Sequence, residues 1–318
     1  MFIESFRITV DGVMPSFILG AIGFLLFKRK LLEADGLNSL SRLVIEVTLP
    51  FLIFYRLVTQ FSFSRFPNWW MFPLLSLAIT GLGLVCAGIF SGFIKEREKK
   101  IQFLSLASFQ NSGYLPLVIV ASLLSGEKLD LMLTYIFLFL LGFNFLLFSV
   151  GEFMLTAGRR NRFDWRSMLS APVVATLASL LVVFIGAQRF IPQLVIVPLK
   201  MAGDCTMPLA TFVVGANLAA IKLEKVDVPA MSLMVLVKLV LMPALGLVLV
   251  YSLKLGLVAG LLVVMQLAMP PATNLSLILR QYNKEDILVS QGIFIGHLAS
   301  LVTIPVVLSL YFALSMLK

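Results

Sequence analysis

Two stretches in different halves of the chain place ionisable and helix-breaking residues at the same intervals: RLVIEVTLPFLIF, from Arg42 to Phe54, and KMAGDCTMPLATF, from Lys200 to Phe212. Each carries a base, an acid four residues on (Glu46, Asp204), a threonine two further (Thr48, Thr206) and a proline four after the acid (Pro50, Pro208). Proline has no N–H, so the carbonyls of Glu46 and Asp204 lose their helical partner. A carboxyl group, a free carbonyl and a hydroxyl then lie close together, a set suited to a proton, a water or a cation. Such a carboxyl is costly in apolar surroundings unless paired, hydrated or neutralised, and burial can raise its pKa towards physiological pH. The competing reading is an i,i+4 ion pair with Arg42 or Lys200 that ties helices together.

A second pair of stretches offers different chemistry. FQNSGYLPLVIV and QLAMPPATNLSLIL each put proline and asparagine in the middle of an apolar run. Pro116 and the pair Pro270 and Pro271 should interrupt their helices, and the freed backbone groups are tolerated in lipid only where they line a cavity or pack in protein. Asn111, Ser112, Gly113 and Tyr114 would face Thr273 and Asn274 there, with half-helix N-termini presenting amides suited to a carboxylate. Asparagine adds donors without a fixed charge. Lys238, in VLVKLVLMPALG, could neutralise a substrate carboxylate or pair across the bundle. His297, the only histidine, is read as packed rather than catalytic, and Asn144, Asn217, Gln266 and Gln291 as lining a path or bridging helices.

The elements that must position these residues follow from composition. Of 318 residues, 60% are hydrophobic and 13% charged, with a mean hydropathy of +1.02, which marks a polytopic membrane protein rather than a soluble domain. Apolar windows of about 20 residues, the length that crosses a bilayer, fall near 9–27, 37–57, 69–94, 101–124, 129–157, 167–188, 194–220, 229–253, 257–280 and 286–316. The expectation is an all-α membrane protein of ten helices with both termini outside, because the loops after the odd-numbered spans hold 15 Lys and Arg against 8 on the other side. The net charge of +9 therefore reports orientation and not nucleic acid. Cys86 and Cys205 lie within spans and imply neither a disulfide framework nor a metal site.

A single offset of 158 superposes Arg42 on Lys200, Glu46 on Asp204, Thr48 on Thr206, Pro50 on Pro208 and Phe54 on Phe212. Five spans in each half make the second copy start from the opposite membrane face, the inverted repeat of secondary transporters, whose sites lie near the midplane where broken helices meet. The division is 1–157 as the first repeat, 158–166 as a basic cytoplasmic linker and 167–318 as the second.

The chain resembles the auxin efflux carrier family of plant PIN-type carriers and bacterial relatives, within a bile acid symporter-like superfamily. The resemblance is carried by AMPPATNLSLILRQYNKEDILVSQGIFIGHLASLVTIPVVLSLYF, by TLPFLIF in span 2, by QNSGYLP in span 4 and by the interval from Asp204 to Gly215. One departure stands out: many relatives place the span 4 proline two residues later, where this chain has Val118. The resemblance implies two inverted five-helix repeats and a scaffold of spans 1, 2, 6 and 7. It also implies a mobile domain containing crossed helices 4 and 9, a homodimer through the scaffold, and small organic anions such as auxin or dicarboxylates as substrates.

The function expected from these readings is secondary transport of small organic anions by an elevator-like movement. The driving force is the membrane potential or a proton gradient, with Glu46, Asp204 and Lys238 as the coupling candidates and no cofactor. A sodium-coupled carrier of the bile acid type is the first alternative, although the second crossover, QLAMPPATN, has no acidic residue; a channel or sensor is the other. An enzyme is not expected, since one histidine cannot supply HExxH, Asp204 is the only aspartate well inside a span, away from its ends, and no GxSxG elbow is present. A bacterial inner membrane is the expected location, given the short loops.

Overall fold

The computed structural model of the chain describes residues 2–156, 169–221, 223, 226–282 and 286–315. Among them every regular element is a helix. The first half carries α1 (Phe2–Lys28), α2 (Ala34–Leu43), α3 (Leu49–Gln60), α4 (Met71–Phe90), α5 (Arg97–Ser108), α6 (Tyr114–Leu123), α7 (Gly126–Leu146) and α8 (Glu152–Thr156). The second carries α9 (Ala171–Phe184), α10 (Gln193–Asp204), α11 (Thr206–Ala220), α12 (Val228–Val235), α13 (Met242–Ser252), α14 (Leu257–Ala268), α15 (Asn274–Gln281) and α16 (Ile287–Ser315). The expected basic linker at 158–166 lies outside the described residues, as do residues 283–285.

Proline shapes several of these helices. α2 runs into α3 through a π-helical turn at Val44–Thr48, where the Leu49 amide donates to the carbonyl of Val44, five residues back. A second π-helical turn, Leu236–Leu241, joins α12 to α13 just ahead of Pro243. In both places the chain widens one turn before a residue that cannot donate, so the helix continues with a bulge instead of stopping. A third such turn, Leu147–Gly151, joins α7 to α8.

Taken through these turns, seven described helical stretches are long and apolar enough to cross a membrane: Ile3–Lys28, Ala34–Gln60, Met71–Phe93, Gly126–Thr156, Gln193–Ala220, Val228–Ser252 and Ile287–Ser315. Three further apolar helices, Tyr114–Leu123, Ala171–Phe184 and Leu257–Ala268, are shorter. The windows at 101–124 and 257–280 are each divided: helix stops at Ser108 and resumes at Tyr114, and stops at Ala268 and resumes at Asn274. α14, with 12 residues, is about 18 Å long at 1.5 Å per residue, well short of a hydrocarbon layer of about 30 Å.

Packing holds the divided segments in the middle of the molecule. In α14 every residue from Gly260 to Ala268 is buried, and α7 buries a nearly continuous run from Met132 to Leu140. α14 lies against α13, α16 and α7, and α4 lies between α5 and α7. α1 packs chiefly on α11. Their backbones nearly touch: a Cβ on Gly215 would stand 1.8 Å from the carbonyl oxygen of Gly20. Between apolar helices in lipid this close approach supplies the dispersion contact that solvent exclusion supplies in water.

Candidate functional site

The two interruptions meet. Gln110 and Pro271 form an isolated antiparallel bridge, with the Asn111 amide donating to the Pro270 carbonyl at 2.8 Å and the Ala272 amide donating to the Phe109 carbonyl at 2.9 Å. Extended backbone inside an apolar molecule must find partners, and here each broken segment supplies them to the other. Prolines 270 and 271 cannot donate, so the exchange uses the carbonyl of Pro270 and the amide of Ala272, which follows them.

Side chains complete the repair. Pro116 is the third residue of α6 and lacks the N–H that would bond the carbonyl of Ser112, four residues back. Gln266 of α14 donates its Nε2–H to that carbonyl at 3.2 Å. The Asn111 carboxamide accepts from the Leu115 amide at 3.4 Å and lies 3.4 Å from Nε2 of His297. His297 Nδ1 lies 2.8 Å from the carbonyl of Ile293, which can only accept, so Nδ1 carries the proton and Asn111 donates to Nε2. α16 reaches this region closely, since a Cβ on Gly296 would stand 2.6 Å from Cδ of Pro271.

Beside the bridge lies a cavity of about 220 Å³. Gln110, Asn111, Ser112, Gly113 and Tyr114 line it from one break, and Ala272, Thr273 and Asn274 from the other. Its remaining wall is mostly apolar, with Ile45 from the π-helical turn before α3, Leu49 at the start of α3, and Leu140, Phe143, Asn144, Leu147 and Phe148 from α7 and the turn after it. None of the described residues lining it is charged. At the rim Asn144, Ser170 and Asn274 are half-buried and Leu277 is exposed. The N-termini of α6 and α15, at Tyr114 and Asn274, both meet the cavity, so the positive ends of two helix dipoles lie where charged side chains are missing.

Of the residues singled out from sequence, Asn111, Ser112, Gly113, Tyr114, Thr273 and Asn274 line this cavity, while Pro116, Pro270 and Pro271 form the breaks behind it. Glu46, Asp204 and Lys238 do not line it. Glu46 is exposed on the helix surface and paired with Arg42 at 3.2 Å. Asp204 is held by Lys200 at 2.7 Å and by the hydroxyl of Tyr55, from α3, at 2.5 Å. The position 158 after Tyr55 is Val213, which has no hydroxyl, so at that offset no tyrosine stands ready for Glu46. Lys238 is fully buried in its π-helical turn, which packs against α4, α5, α14 and α16, and its amino group has no hydrogen-bond partner among the described residues.

The Tyr55 hydroxyl also accepts from Nε of Arg56 at 2.8 Å, and Arg56 forms an ion pair with Asp130 near the start of α7. Arg56 lies about 10 Å along α3 from Leu49, and Asp130 about 15 Å along α7 from Leu140, at 1.5 Å per residue. The pair therefore sits at the end of the α3 and α7 contact remote from the cavity. Leu52, Ile53, Ile136 and Phe137, all fully buried, fill the interval. Sequence patterning offered no sign of this pair, since Arg56 and Asp130 are 74 residues apart and each reads as an ordinary span-end charge. Gln110 was overlooked as well, since a lone glutamine beside asparagine gives no spacing signal.

A family model described as membrane transport protein matches residues 8–162 and again residues 157–308. No match was found among curated proteins.

Proposed function

The chain belongs to the membrane transport protein family, which includes auxin efflux carriers, and is therefore a membrane transporter; from that premise we propose that it carries small organic anions by alternating access. The observation that carries this reading is the cavity at the paired interruptions, where two helix N-termini and the amides of Asn111 and Asn274 converge without a neutralising acid. A single carboxylate suits that field. The described wall opposite is apolar, so a monocarboxylate with an apolar body fits better than a dicarboxylate, whose second charge would meet no basic side chain among the described residues.

We count the three shorter apolar helices with the seven long stretches to reach ten spans in two inverted repeats, with the divided spans crossing at the substrate. In this reading the end of the bundle near Asn144 and Leu277 is open, and the Arg56 and Asp130 pair with the apolar layer beneath it closes the other end. We read the basic loops as cytoplasmic, which sets the open end towards the interior of a bacterial cell with both termini outside, and we assign the exposed face of the scaffold to a homodimer within the lipid. A negative interior supplies about 2.3 kcal/mol per charge per 100 mV, enough to drive export of a monoanion unaided. Asp204 is the stronger candidate for coupled protonation, because its partners come from two helices, whereas among the described residues Glu46 is paired with Arg42 alone.

The test is a thermal-shift screen of mono- and dicarboxylates on the purified protein, repeated with Asn111→Ala. Monocarboxylates should stabilise the wild type, and the variant should bind them about tenfold more weakly, the loss expected for one charge-assisted hydrogen bond. Equal stabilisation of both proteins would move the anion away from the paired breaks. Flux in proteoliposomes with imposed voltage and pH gradients then separates the two driving forces.

A further inference from the structure

Gln110 is wholly buried and lines the cavity, yet neither Oε1 nor Nε2 has a hydrogen-bond partner among the described residues. Its neighbours are differently placed: Asn111 is engaged by Leu115 and His297, and Gln266 by Ser112. A buried amide without partners carries a desolvation cost of about 1–3 kcal/mol for each group, and such a group in a native structure calls for an explanation. Because it lines the cavity beside two helix N-termini, the explanation lies with the ligand.

The chemistry of a primary amide narrows that ligand. Nε2 donates and Oε1 accepts. A carboxylate only accepts, so a plain acid could satisfy Nε2 and would leave Oε1 as it is. The ligand must also bring a donor. An ammonium would need an anion, and no described acidic side chain lines the cavity. A neutral hydroxyl needs none. Gln110 immediately precedes Asn111 and the short run to the start of α6, so the hydroxyl must lie close to the carboxylate that this N-terminus attracts. We infer that the preferred substrate is a small monocarboxylate bearing a hydroxyl on the carbon next to the carboxyl group, and that Gln110 reads that hydroxyl. This rests on the anion-carrier reading above and specifies its substrate.

The experiment compares matched acids on the purified full-length protein, 2-hydroxyhexanoate with hexanoate and phenyllactate with phenylpropionate, by thermal shift at graded concentrations. Wild type should bind each hydroxy acid about tenfold more tightly than its partner, as sites built to hydrogen-bond a hydroxyl discriminate against analogues lacking it. Gln110→Leu should bind both members of a pair equally, and Gln110→Asn should keep part of the preference. Equal binding of the paired acids by wild type, which requires no variant to fold, overturns the assignment of Gln110 and leaves the carrier reading standing; so does a preference retained by Gln110→Leu. If none of the four acids binds, the anion site itself is wrong and this inference falls with it.

Discussion

Asp227 stands just ahead of α12 and does two things with one carboxylate. It caps the helix by accepting from the Ala230 amide at 3.2 Å, and it accepts from Lys99, at the start of α5, at 3.0 Å. The hydrogen bond from Lys99 is the largest reason its carboxyl lies below the usual aspartate range; burial opposes the shift and the Ala230 amide adds to it. A carboxyl whose folded pKa is depressed contributes stability that is present above its unfolded value, about 3.9, and is lost as pH falls through the folded value. Asp227→Asn keeps the cap and removes the charge. The variant should therefore melt below wild type near neutral pH, with the gap closing as pH drops beneath about 4. Equal melting of the variant and the wild type across that range would mean that Asp227 acts through its cap alone.

Individual helices here are divided, and the divisions set what each can do. α3 and α7 share the cavity wall at one end and the Arg56 and Asp130 ion pair at the other. Both side chains are largely withdrawn from solvent, at 17% and 35% exposure, and Arg56 is steadied by Tyr55, itself bonded to Asp204. If opening of the far end requires the two helices to part there, Arg56→Gln or Asp130→Asn should depopulate the state in which the cavity is open. Maleimide labelling of Leu277→Cys, with Cys86 and Cys205 changed to Ser, should slow about fivefold, the population change that roughly 1 kcal/mol produces. Exchanging the charges, Arg56→Asp with Asp130→Arg, should restore the rate. Labelling at the wild-type rate in both single variants would show that the pair is no latch.

At the scale of the molecule, stability depends on close backbone contact between elements far apart in sequence. α1 and α11 meet at Gly20 and Gly215, where no side chain can be accommodated without separating the helices. Gly215→Ala should lower the thermal unfolding midpoint in detergent through an overpacking cost of about 1–3 kcal/mol. Gly81→Ala serves as the control, because a Cβ there has nothing within 4 Å. Similar midpoints for the two variants would show that α1 adjusts freely on α11 and that their contact carries little of the stability.

How much of this was legible beforehand differs between residues. Membrane helices follow from apolar windows, because the length and hydropathy of a segment are local properties and the bilayer reads them locally. Pro116 and Pro270 likewise announce interrupted helices, since a missing N–H acts within one turn. Pairing of the two breaks, however, is a matter of backbone groups 159 and 163 positions apart in the chain, Asn111 with Pro270 and Ala272 with Phe109, and no periodicity encodes it. The acids show the same limit. Glu46 and Asp204 look equivalent in sequence, yet one lies at the surface with Arg42 and the other meets Tyr55, because a neighbour is chosen by packing and not by spacing. The sequence alone therefore determined a helical membrane protein with two weakened spans, all of it short-range chemistry. Which polar groups those spans share, which cavity they enclose and which amide is left for a ligand were decided only when distant helices packed together, since hydrogen bonds reach about 3 Å in space whatever the separation along the chain.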